Sequence, residues 1–122
     1  MLVAEDEEIV RRVLVKMLTR DGFEVVDCAN GAEVLRECGA DRPSIDLVLM
    51  DVRMPVLGGI EALRGLRAGG SRVPVILMSG NLAGAEVEAL ADHESLGDFS
   101  VLNKPFGGSE LTKAIGEAME GA

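Results

Sequence analysis

Leu47-Val48-Leu49-Met50-Asp51 is an unbroken apolar run that ends on a carboxylate. It shows no polar alternation, so it reads as a strand buried on both faces, the mark of a parallel sheet with helices on either side. Met1-Leu2-Val3-Ala4 repeats the pattern and ends on Glu5-Asp6. Val75-Ile76-Leu77-Met78 ends on Ser79, and Val101-Leu102 leads to Lys104. Ligands of an open parallel sheet bind outside the carboxyl ends of its strands. The acids, the hydroxyl and the lysine therefore belong to one composite site.

The stretches between these runs have helical spacing. Val10, Val13, Leu14, Met17 and Leu18 lie on one face, and Asp21-Gly22 stops that helix. Phe23–Cys28 reads as a strand. Asn30 followed by Glu33 resembles a capping box and opens a helix to about Cys38. After a loop at Asp41–Ser44, Ile45–Met50 is a strand interrupted only by Asp46. Ile60, Leu63 and Leu66 mark a helix that ends near Gly69-Gly70, and Val73–Met78 is the next strand. A thinner helix is expected over Ala83–Asp92, then a strand over Phe99–Leu102. Ser109 is placed to cap a last helix with Leu111, Ala114, Ile115, Ala118 and Met119 on one face. Strands alternating with helices predict an α/β fold of five β-α units around a parallel sheet, doubly wound.

With 122 residues the chain is the size of one domain, 1–122. Hydrophobic residues make up 48% and aromatics only 2%, so the core must be aliphatic. The net charge of −9 argues against duplex DNA as a partner of this domain alone and fits divalent cations or basic protein surfaces. Cys28 and Cys38 form no CxxC pair and read as reduced core thiols. His93, the only histidine, lacks a motif and reads as solvated. Met50, Met54 and Met78 read as packing, and the glycine pairs 58–59, 69–70 and 107–108 as turns. No apolar stretch approaches a membrane span and no signal peptide is visible, which points to the cytoplasm and to no membrane contact. The chain opens almost directly on a strand and stops just after its last helix. That suggests a stand-alone protein or a piece excised from a longer one.

Glu5, Asp6 and Asp51 are hard oxygen donors that repel one another unless a cation lies among them. With few protein ligands and no soft donors, Mg²⁺ is the expected ion. Such a site takes a phosphate as a remaining ligand. Lys104 supplies a point charge to one phosphoryl oxygen, Ser79 a hydrogen bond to another, and Gly80 leaves room for entry. These roles describe a phosphoryl acceptor with Asp51 as the nucleophile.

Leu2-Val3-Ala4-Glu5-Asp6-Glu7, Leu47 through Pro55, Ile76-Leu77-Met78-Ser79-Gly80 and Asn103-Lys104-Pro105-Phe106 together resemble the receiver domain of bacterial response regulators, of the chemotaxis-regulator type, over nearly the whole chain. The resemblance implies a flavodoxin-like five-stranded sheet of order 2-1-3-4-5. It implies phosphorylation of Asp51, and Mg²⁺ held by Asp6, Asp51 and the backbone carbonyl of Arg53, with Glu5 acting through water. It implies switch roles for Ser79 and Lys104 and a cis bond before Pro105 that aims the lysine inward. A histidine kinase or histidine phosphotransfer protein is the implied donor, and a weak homodimer is compatible with the family.

The chain departs from the family at Val101, which stands where an aromatic is usual, and at Gly58, which replaces a polar residue before Gly59. Arg53 and Asn81 hold positions that vary and tune phosphoryl lifetime. Two other readings use the same residues: a receiver-like module that binds partners without phosphorylation, and a small Mg²⁺-dependent phosphatase of the aspartyl-phosphate type. The phosphatase needs a second acid where Arg53 stands. The expectation is a signalling switch, not an enzyme, either stand-alone or the cytoplasmic receiver end of a hybrid histidine kinase.

Overall fold

Strands β1 (Leu2–Ala4), β2 (Val26–Cys28), β3 (Val48–Asp51), β4 (Val75–Ser79) and β5 (Phe99–Asn103) pair in parallel in the order β2-β1-β3-β4-β5. They come from a computed structural model that describes residues 1–38, 45–80, 96–97 and 99–120. Four helices are found among the described residues: α1 (Glu8–Arg20), α2 (Gly31–Glu37), α3 (Gly59–Ala68) and α4 (Gly108–Glu120). The helix expected over Ala83–Asp92 lies outside the described residues, as do Asn81 and His93.

Strand alternation splits the core in two. Leu2, Ala4, Val48, Met50, Val75 and Leu77 pack with α2 and α3 through Val34, Ala62, Leu63 and Leu66. Val3, Leu47, Leu49, Ile76 and Met78 face the other way, onto Leu14 and Leu18 of α1 and Leu111 and Ile115 of α4. Both layers are aliphatic, as the composition requires. The chain leaves β1 toward β2 on one side and reaches β3 on the other, so the order reverses between β1 and β3. This is where an open α/β sheet forms a crevice.

Several boundaries differ from expectation. The second strand begins at Val26, not Phe23, and the third at Val48, not Ile45. Each pairs with β1 only from Leu2 onward, in the registers Leu2↔Val26 and Leu2↔Val48. The short β1 therefore limits β2 to three residues, while β3 pairs over four residues with β4. Ser109 is not the cap of the last helix, which already begins at Gly108; Glu110 Oε1 accepts from the Gly107 amide at 3.2 Å instead. The Asn30–Glu33 cap is present: Asn30 Oδ1 accepts from the Glu33 amide at 3.0 Å. The Glu33 carboxylate reaches one residue further back than in the usual box, accepting from the Ala29 amide at 2.8 Å. Cys28 and Cys38 are both free and buried. Burial and the nearby Glu33 charge raise the Cys28 thiol to about 12, and burial and Glu37 raise Cys38 to about 11. Neither is a reactive thiolate. No helix among the described residues is long and apolar enough to cross a membrane.

Candidate phosphoryl-acceptor site

Three strand ends meet over the crevice. Glu5 follows β1 and is fully buried, Asp51 closes β3 with little exposure, and Asp6 is exposed beside them. One carboxylate oxygen from each lies within 4.8 Å of the others. Lys104, just past β5, reaches across the sheet. Its Nζ donates to Asp51 Oδ2 at 2.5 Å and to Glu5 Oε1 at 3.2 Å. The Lys104–Pro105 peptide bond is cis.

The electrostatics follow from this crowding. Burial, then the hydrogen bond and charge of Asp51, raise Glu5 from an ordinary 4.5 to about 7, against the opposing pull of Lys104. Burial alone would lower Lys104, but the hydrogen bond and charge of Asp51, followed by Glu5, outweigh it and raise the lysine. Glu5 Oε2 is buried with no hydrogen-bond partner among the described residues. A buried carboxylate oxygen without a partner is costly unless a cation or donor meets it. Three clustered carboxylates with an orphaned oxygen fit a small hard divalent ion, and among the described residues no thiol or imidazole stands with them.

The backbone holds these groups in place. Arg53 N–H donates to Asp51 Oδ1 at 3.1 Å, which fixes the carboxylate and brings the Arg53 peptide beside the cluster. Lys104 N–H donates to the Ser79 carbonyl at 2.8 Å, tying the end of β5 to that of β4. Ser79 is fully buried, and its hydroxyl donates to the Gly80 carbonyl at 3.0 Å. That donor must rotate before it can serve a group on Asp51. Among the described residues, a Cβ on Gly80 would meet nothing within 4 Å. Val101 is 38% exposed and shares a strand face with the half-buried Phe99.

Three contributors escaped the sequence reading. Arg11 of α1 donates from Nη1 to the Glu5 carbonyl at 2.8 Å and from Nε to Asp27 at 3.2 Å, clamping the segment that carries the acids. Its only signal was a basic residue one turn into the helix. Gly59 would place a Cβ 2.4 Å from the Asp51 carbonyl oxygen, so this turn glycine is set by close approach to the site. Val56 has φ +67° in the loop after Asp51, a conformation that no valine pattern announces.

A family model described as the response regulator receiver domain matches residues 1–116. The regulatory protein AtoC of Escherichia coli (strain K12) is 40% identical over 119 residues, which is 98% of this chain and 25% of that protein; the chain thus spans a quarter of its length. A response regulator receiver domain protein from Clostridium thermocellum superposes with a TM-score of 0.85 at 32% identity, covering 98% of this chain and 92% of the other. The receiver domain of a sensor histidine kinase from Pseudomonas aeruginosa PAO1 superposes with a TM-score of 0.82 at 31% identity, covering 98% and 95%. That structure has a magnesium ion coordinated in its active site cleft.

Proposed function

Since the chain belongs to the response-regulator receiver family, we propose that Asp51 is its acceptor and takes the phosphoryl group from a histidine phosphoprotein. The observation that carries this reading is the buried cluster in which Asp51 shares Lys104 with a Glu5 that has an oxygen unpartnered among the described residues. An Asp51 carboxylate oxygen attacks phosphorus in line, the phosphorus–nitrogen bond to the donor imidazole breaks, and its electron pair stays on the imidazole. The product is an acyl phosphate on Asp51. Lys104 exchanges its contact with Asp51 Oδ2 for a phosphoryl oxygen, and Ser79 turns its hydroxyl from Gly80 toward another. Arg53 N–H keeps the spectator oxygen of Asp51 fixed.

Mg²⁺ held by Asp6, Asp51 and the Arg53 carbonyl, with Glu5 through water, would neutralise charge on the transferring oxygens. The donor is a histidine kinase or phosphotransfer protein. Beside the crevice, α1 presents exposed Ile9 and Val13, 79% and 52% accessible, with Arg12, Lys16 and Arg20 around them. An apolar stripe with a basic rim suits an acidic helix of such a donor. Self-catalysed phosphorylation and hydrolysis are the only reactions we assign. A phosphatase acting on external substrates lacks its second acid, because Arg53 stands there.

Incubation with acetyl phosphate and Mg²⁺ tests the assignment. The expected result is one added phosphoryl group by intact mass, abolished in Asp51→Asn and by metal chelation. Full labelling of the Asn variant would exclude Asp51.

A further inference from the structure

The loop between β3 and α3 is held at both ends. Leu57 N–H donates to the Pro55 carbonyl at 2.7 Å, closing a tight turn around Val56, the one described non-glycine residue with positive φ. A β-branched residue at φ +67° is strained, and such strain persists only where the surroundings over-determine it. The Leu57 carbonyl in turn accepts from the amide of Gly31, the first residue of α2, at 2.8 Å. A Cβ on Gly31 would lie 2.5 Å from that same oxygen, 3.0 Å from the Gly58 carbonyl and 3.1 Å from Ala62 Cβ. At the other end the loop reaches the acceptor through the Arg53 amide and the close approach of Gly59 to Asp51.

We propose that Gly31 is a positioning residue of the Asp51 site. Its amide holds the strained loop through Leu57, and the same bond makes α2 an element that responds to cation binding. The inference rests on reading Glu5, Asp6 and Asp51 as a cation site. It follows from two facts about α2. The helix has only seven residues, too few to be stable alone, so its order depends on the packing of Val34 in the core and, at its first turn, on what caps it. Its caps are Asn30 Oδ1, from its own chain segment, and the Leu57 carbonyl, from the loop that ends at the acceptor. A cation that orders the loop must therefore order the start of α2. By reciprocity, displacing the start of α2 must weaken the cation by the same factor.

The test combines hydrogen exchange over residues 31–38, with and without Mg²⁺, with calorimetric Mg²⁺ titration. The expected results are slower exchange in α2 on adding Mg²⁺, and an affinity about five-fold or more weaker in Gly31→Ala, the low end of ordinary couplings. Adding Val56→Gly to Gly31→Ala should restore part of that affinity, because the relaxed turn no longer needs the lock. A merely structural Gly31 would not show this rescue. Wild-type affinity in a folded Gly31→Ala overturns the proposal, as does unchanged α2 exchange while Mg²⁺ binds. If Gly31→Ala does not fold, wild-type exchange decides alone. Absence of Mg²⁺ binding to the wild type would instead remove the cation site itself, and this proposal with it.

Discussion

Glu5 is a carboxyl group with no exposure and an oxygen without a partner among the described residues. In the metal-free protein it is raised to about 7 by burial first and Asp51 second. Between its unfolded value near 4.5 and about 7, the folded state holds a proton that the unfolded state has released. Stability from this group is thus complete below the lower value and is lost as pH rises through the higher one. The span is on the order of 3 kcal/mol at most, given about 1.4 kcal/mol per unit. Urea unfolding without divalent ions should show wild-type stability declining between about pH 5 and 7, a decline missing from Glu5→Gln. Parallel pH profiles for the two proteins would mean that Glu5 does not titrate in this window. At this scale the sequence was readable where chemistry sat at strand ends: Glu5, Asp6, Asp51 and Lys104 converge as their positions suggested. Val56, Gly31 and Arg11 were not readable. Their parts depend on a loop dihedral, a missing Cβ and a contact across two elements, none of which leaves a pattern in the chain.

Among the described residues, elements were legible in type and order, less so in extent. Apolar runs without alternation marked the strands, yet β2 is trimmed to the three residues that β1 can pair, and β3 begins only where both β1 and β4 pair with it, at Val48. Partner length is a property of the sheet, not of either strand's own residues. The last turn of α3 holds a feature that spacing could not reveal. Arg67 is buried and donates to three carbonyls: Leu96 at 2.5 Å, Ser71 at 3.2 Å and Val73 at 2.7 Å. It ties the entries of β4 and β5 to α3, at the edge of the sheet away from Asp51. Arg67→Met should cost about 2–4 kcal/mol, since it strands buried acceptors. Arg67→Lys should recover only part, because a single ammonium cannot span three carbonyls in a fork. Acetyl phosphate labelling of Asp51 should persist in both variants. Denaturation showing a loss under about 1 kcal/mol for the Met variant would mean that these bonds contribute little.

For the whole molecule, the parallel doubly wound architecture and its strand order agree with the reading from sequence. The sheet also divides the interior into two aliphatic layers with no residue in common. That division has a thermodynamic consequence. Changes in one layer should be blind to changes in the other. In a double-mutant cycle, Leu63→Ala beside α2 and Ile115→Val under α4 should add to within about 0.5 kcal/mol. Leu63→Ala with Val34→Ala, in the same layer, should depart from additivity by more than that. The β-sheet would then act as an insulator, letting substitutions accumulate on one side of the molecule without narrowing what the other side tolerates. Strong coupling between Leu63 and Ile115 would show instead that the two layers deform as one.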